Sequence, residues 1–273
     1  MKLDKNNIKA VTFDLWETLL LEKNGWNQKR MNIRCQKLAQ ALNKLGTKIQ
    51  AKQLAFAFKE MTTWLETIWD NNNEVTHIDQ IQFIIQTTSK GALNLKKEWI
   101  NQLSTAYVSA IFEIPPVINP DTHKVLQWLK NQNKRIGIIC NTGLTPGIGI
   151  RKFLAQEGIA NYFDATVFSD EVGIRKPNPK IFQIAAQKLQ TKPNNIVHVG
   201  DNLKSDIWGA QNAGFKTIFL ATETGRDRIA ESDPKSLVAI SRKLGNLKKE
   251  EIVPDKMITS LAATITAIQE LEK

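Results

Sequence analysis

A chain of 273 residues with 42% hydrophobic, 23% charged and 7% aromatic side chains can bury a sizeable core and is too apolar to be disordered. Its longest apolar runs, such as 11–15 and 136–140, are far too short to span a bilayer, and the opening MKLDKNNIK lacks the apolar stretch of a signal peptide, so a cytoplasmic location is expected. The formal charge of +10 is spread along the chain without an RNP, zinc-finger or basic-arm motif, which argues against a nucleic-acid partner and for a surface that attracts anionic metabolites.

Residues 9–14, KAVTFD, form a short β-rich run that ends at an acid. The next hundred residues carry helical stripes instead. Met31, Cys35, Leu38, Leu42 and Leu45 recur at steps of four and three, as do Leu54, Phe58, Met61, Leu65 and Ile68. Ile78, Ile81 and Ile85 follow, then Trp99, Leu103, Ala106 and Ala110. Thr76 and Asp79 read as a capping box opening the third helix, and Asn94 is a candidate cap for the fourth. Four such helices can bury their stripes only against one another, so 21–116 is expected to be a four-helix domain inserted after the first strand. Trp26, Trp64, Trp69 and Trp99 are candidates to line a cavity, although packing of the bundle is the more economical role.

Pro115-Pro116 ends the bundle. Helices near 121–131, 146–157, 178–189 and 204–213 then alternate with strands at 135–140, 165–169, 195–200 and 216–221. This order predicts an α/β fold with a doubly wound parallel sheet, formed by 1–20 and 117–273. Residues 222–250 read as surface loop and helix, followed by a short strand near 251–253 and an amphipathic helix with Ile258, Leu261, Ile265, Ile268 and Leu271. Cys35 and Cys140 fall in different elements and suggest neither a disulfide framework nor a zinc site.

Ligands of doubly wound sheets bind beyond the carboxyl ends of the strands. Asp14, Cys140 with Asn141, Lys176, and Asp201 with Asp206 all fall at or just past such ends. Three carboxylates brought together repel one another, and Mg²⁺ with substrate phosphate relieves that repulsion. Lys176 adds positive charge beside the anions, Asn141 and backbone N–H groups can donate to phosphate oxygens, and an attacking Asp gives a covalent intermediate that water later hydrolyses. His198 alternates with apolar neighbours and reads as a core residue.

The segments VTFDLWETL, IGIICNTG, SDEVGIRKPNPKIF and VGDNLKSDIWGA resemble the four signature motifs of the haloacid-dehalogenase superfamily, across 9–24 and about 115–221. The insertion resembles that family's helical cap of the first type. The resemblance implies Asp14 as nucleophile, Lys176 as charge stabiliser, Asp201 and Asp206 as metal-site acids, and Cys140 and Asn141 at the phosphate-binding motif-two position. It also implies Mg²⁺ held in part by the Trp16 backbone carbonyl. Two positions depart from the pattern. Trp16 replaces the second Asp that phosphatases of this family use as general acid and base, and Cys140 replaces the usual Ser or Thr with a weak donor. The expected function is hydrolysis of a small phosphorylated metabolite. A metal-independent 2-haloacid hydrolase and a weakly catalytic phospho-ligand-binding protein are the rival readings.

Overall fold

The computed structural model describes residues 7–221 and 252–273. At its centre lies β1 (Ala10–Phe13), buried at every position. An apolar run of this kind suits a strand covered on both faces. Its neighbours are β4 (Arg135–Cys140) and β6 (Ile196–Gly200), both parallel to it. With β5 (Ala165–Phe168), β7 (Lys216–Leu220) and β8 (Lys256–Ile258), the described residues form a parallel sheet in the order β5-β4-β1-β6-β7-β8. The chain goes to opposite sides of β1 through β4 and β6, which makes the carboxyl end of β1 the switch point where ligands of such sheets bind.

The crossover helices α6 (Thr122–Asn131), α7 (Gly147–Gln156) and α9 (Pro179–Lys188) fall within a residue or so of their expected bounds. A single turn, α8 (Ser169–Val172), follows β5 directly. After β6 the backbone is π-helical over Leu203–Trp208 before it tightens into α10 (Gly209–Asn212). Asn202 opens that segment, accepting from the N–H groups of Lys204 and Ser205 at 3.0 Å.

Between β1 and β4 lie α1 (Trp26–Lys44), α2 (Ala51–Trp69), α3 (His77–Thr88), α4 (Ile100–Val108) and α5 (Ala110–Glu113). Their stripes close on a hydrophobic cluster of their own, with Leu38, Leu42, Leu54, Phe58, Met61, Leu65, Ile81, Ile85 and Leu103 buried. Trp69 and Trp99 belong to that cluster, and Trp64 stacks on Phe83 at its edge. The capping box forms: Asp79 N–H donates to Thr76 Oγ1 at 3.2 Å, and Thr76 N–H to Asp79 Oδ2 at 2.9 Å.

Three expectations need correction. Asn94 does not cap the fourth helix, because its Oδ1 accepts from the Gln82 and Gln86 amides and the backbone turns helical only at Lys97. The last strand lies at Lys256–Ile258 rather than near 251–253. Asp255 fixes the chain just before it, accepting from Thr217 N–H and Oγ1 at 2.8 Å. Ile258 therefore belongs to β8, and the closing helix α11 runs over Thr264–Leu271 after a short turn at Leu261–Ala263. The expected loop and helix over 222–250 lie outside the described residues.

One pairing was not anticipated. β2 (Leu20–Leu21) runs antiparallel to β3 (Val117–Ile118), so the two chain segments flanking the helical insertion lie side by side. Among the described residues no helix is long and apolar enough to cross a membrane.

Candidate active site

Register brings the candidate residues to one edge. Phe13 pairs with both Ile138 and Val199, and Asp14 N–H donates to the Val199 carbonyl at 2.9 Å. Asp14 therefore leaves the sheet beside the ends of β4 and β6. Asp14, Asp201 and Asp206 offer ligand oxygens that all lie within 4.8 Å of one another. The Lys176 Nζ donates to Asp14 Oδ1 at 2.6 Å and pairs with Asp206 Oδ1 at 2.7 Å. Acids far apart in sequence thus share a site with one ammonium.

The glycine of VGD is needed here. A Cβ on Gly200 would fall 2.4 Å from Asp206 Cγ, so only glycine lets Asp206 fold back against β6. Asp206 is fully buried, and its Oδ2 accepts from Asn202 N–H at 2.9 Å. His198 is buried as expected, but it also faces the site. Its Nε2 lies 3.5 Å from Asp206 Oδ1 and its Nδ1 2.9 Å from Thr12 Oγ1. Burial lowers the His198 pKa, which keeps the ring neutral.

Electrostatics divide the two deepest acids. Burial pushes the Asp14 carboxyl up to about 7 against the pull of Lys176, with Asp206 and Asp201 adding to the rise. Burial works the same way on Asp206, but Lys176 and His198 outweigh it and hold that carboxyl well below the usual range. Lys176 is buried too, yet Asp14 and Asp206 keep it firmly protonated. Clustered, buried carboxylate oxygens are the donor set a hard divalent cation takes, so these residues fit Mg²⁺.

Asn141 is engaged at both ends of its amide. Its Nδ2 donates to the Lys176 carbonyl at 3.0 Å and its Oδ1 accepts from Lys176 N–H at 2.8 Å, so it anchors the loop that presents the lysine. Cys140 is fully buried, and burial together with the Asp14 charge pushes its thiol well above the ordinary value, leaving a neutral S–H. Trp16 packs half-buried against the core cluster with its ring 5.9 Å from the Arg30 guanidinium. The next residue, Glu17, has a φ of 59°, a left-handed conformation uncommon outside glycine and often found beside functional groups.

A polar seam that no sequence motif marks joins the helices to the sheet. Glu74 Oε2 accepts from Arg175 Nη1 and from Ser169 Oγ, each at 3.0 Å, and Arg175 lies 4.0 Å from the Trp69 ring centre. Backbone bonds from Glu74 N–H to Gly173 O and from Arg175 N–H to Asn72 O complete it. The seam ties the insertion to the residue immediately before Lys176. A chemically plain Glu between two helices carries no motif that could have revealed it.

The sequence family described as haloacid dehalogenase-like hydrolase matches residues 8–214, which contain every site residue named above. The chain belongs to that family. A second, HAD-hydrolase-like, description matches 173–262. Among its curated relatives, a glyceraldehyde 3-phosphate phosphatase from Methanothermobacter thermautotrophicus is 39% identical over 118 residues, 41% of this chain and 50% of that protein. The pyrimidine 5'-nucleotidase YjjG from Escherichia coli is 37% identical over 120 residues, 44% of this chain and 51% of its own. The chain thus spans about half the length of the curated relatives it matches. A solved 2-haloacid dehalogenase from Pseudomonas syringae superposes with a TM-score of 0.66 at 21% identity, covering 96% of this chain and 99% of that one. At that identity the likeness establishes the fold.

Proposed function

We propose that this hydrolase is a Mg²⁺-dependent phosphatase of small phosphorylated metabolites, working through an aspartyl-phosphate on Asp14. The observation that carries the reading is Lys176 Nζ at 2.6 Å from Asp14, with Asp201 and Asp206 oxygens within 4.8 Å. Relatives named for glyceraldehyde 3-phosphate and for pyrimidine nucleotides support the phosphomonoester class.

The Asp14 carboxylate attacks phosphorus and the ester oxygen leaves as the alkoxide or phenoxide, taking its proton from solvent, after which water attacks the acyl phosphate, gives up a proton to solvent, and frees Asp14 and inorganic phosphate. Lys176 neutralises phosphoryl charge and holds Asp14 in line. Asn141 keeps the Lys176 loop in register, and Asp206, saturated by Lys176 and Asn202, positions the lysine. Asp14, Asp201 and the Trp16 carbonyl would hold Mg²⁺, with Asp206 behind them. When bound, Mg²⁺ supplies Lewis-acid charge at the phosphate oxygens. The insertion over 21–116 acts as a cap that excludes water and selects substrate.

Trp16 cannot protonate a leaving group. Loss of a general acid typically costs ~10²–10⁴ in rate, so alkyl phosphates should turn over far more slowly than an aryl phosphate, whose leaving group needs no proton. The test is hydrolysis of an aryl phosphate with Mg²⁺ and its loss in EDTA. The aromatic Trp16 favours a second reading, a metal-independent haloacid hydrolase. That reading requires halide release from a 2-haloacid in EDTA, whereas Asp201 beside Asp14 and Asp206 favours the phosphatase. Stabilisation by Mg²⁺ with beryllium fluoride, but no turnover of any ester, would leave a binding protein instead.

A pH dependence accompanies the metal. With the Asp14 carboxyl raised to about 7, Mg²⁺ must displace a proton below that pH. Apparent affinity measured by calorimetry should rise as pH climbs from 5 to 7, by up to about tenfold per unit, and level off above. An affinity unchanged over that range would contradict the shared role of Asp14.

A further inference from the structure

Two arginines on α1, Arg30 and Arg34, sit one turn apart and are 1% and 2% exposed. Arg30 is well paired. Its Nη1 donates to both Glu22 carboxylate oxygens at 2.7 Å, and its Nε to the Ile114 carbonyl at 2.7 Å. The hydrogen bond that Arg34 makes is to a neutral group. The Arg34 Nη2 donates to Thr145 Oγ1 at 3.0 Å and its Cζ lies 5.2 Å from the Tyr107 ring centre. Among the described residues Arg34 feels the Glu22 carboxylate that Arg30 pairs with but makes no direct ion pair of its own, and both Arg34 Nε and Arg30 Nη2 are buried without a hydrogen-bond partner. A buried guanidinium without a direct counter-ion is a costly arrangement.

The surroundings show what could balance it. The Trp16 ring against Arg30 lies two residues beyond Asp14, and Thr145 lies four residues beyond Asn141. The guanidiniums therefore face the loops leaving β1 and β4, the same loops that carry the nucleophile and the motif-two amide. Arg34 Nε and Arg30 Nη2, donors with no partner beside those loops, suit an anion that arrives with the substrate.

We propose that Arg34, backed by Arg30, receives a second anionic group on the substrate, so that this hydrolase selects phosphate monoesters that also carry a carboxylate or another phosphate. The inference rests on the phosphatase reading. Its test measures kcat and KM with Mg²⁺ for 2-phosphoglycolate, propane-1,3-diol bisphosphate, ethyl phosphate and p-nitrophenyl phosphate, in wild type, Arg34→Met and Arg34→Lys.

Wild type should favour at least one doubly anionic ester over ethyl phosphate by about tenfold or more in kcat/KM, and the better of the two identifies the second group. Arg34→Met should erase that preference through KM while leaving both singly anionic esters within about twofold, and Arg34→Lys should restore part of it. A wild type without the preference, or an Arg34→Met that slows all four esters alike, overturns the inference and leaves the phosphatase reading standing. Failure to hydrolyse any ester ends both. If Arg34→Met does not fold, the wild-type preference and Arg34→Lys decide.

Discussion

Replacing Asp14 with Asn is expected to lower kcat for Mg²⁺-dependent aryl phosphate hydrolysis by ~10³ or more, because the amide keeps the shape of the nucleophile and removes its charge. A second effect separates loss of chemistry from loss of fold. The wild-type carboxyl is raised from its ordinary value to about 7 by burial, so between about pH 4 and 7 the folded chain binds a proton that the unfolded chain does not. Stability of the metal-free protein therefore falls as pH rises through that window. Asp14→Asn has no such proton, and urea titrations at pH 5 and 8 should show its stability changing less than that of wild type. Equal phosphatase rates in the two proteins would remove Asp14 from the mechanism.

Lys176→Met should be the more damaging change, because it strikes chemistry and fold together. The ammonium proposed to face the phosphoryl oxygens is lost, typically ~10²–10³ in kcat. Asp206, fully buried and held low by Lys176, is stranded at the same time, and breaking one side of a buried pair typically costs ~3–5 kcal/mol. The sign of the pH effect follows. In wild type Asp206 contributes stability above about pH 4 and loses it as pH falls toward its depressed value. Without Lys176, burial dominates and raises that carboxyl, so the variant loses stability as pH rises. The gap between wild type and Lys176→Met in urea midpoint should accordingly widen from pH 5 to pH 8. A gap that narrows would mean that Asp206 does not depend on the lysine.

What could be read from the sequence follows from how local each signal is. β4 is bounded as expected because RIGIIC is an unbroken apolar run, and Asp14, Asn141 and Asp201 had to emerge at one edge once the strands were parallel. The Thr76–Asp79 box spans three residues and needs no tertiary information. Asn94 looked like a cap for the same local reason, but its carbonyl oxygen is claimed by two glutamine amides of α3, a tertiary competitor that no spacing reveals. The pairing of Leu20–Leu21 with Val117–Ile118 has two residues per strand and nearly a hundred between them, too short and too distant to leave a pattern. Arg30 and Arg34 flank the apolar stripe of α1 at Met31 and Cys35, positions that ordinarily carry a charged side chain to solvent. Their burial depends on the loops that fold against them. His198 was correctly placed in the core, yet its contact with Asp206 depends on the π-helical turn after β6 that brings the acid back over the strand.

The central claim, that Asp14 and Asp201 hold one cation with Asp206 behind them and Lys176 opposite, is tested most directly by a Mn²⁺ or Mg²⁺ binding isotherm at pH 8 on wild type and Asp201→Asn. Asp201→Asn leaves the Asp14–Lys176–Asp206 pairing in place and removes one charged ligand. The account predicts a single site per chain in wild type and an affinity weakened by at least about tenfold in the variant. An isotherm with the same affinity in both proteins would contradict it.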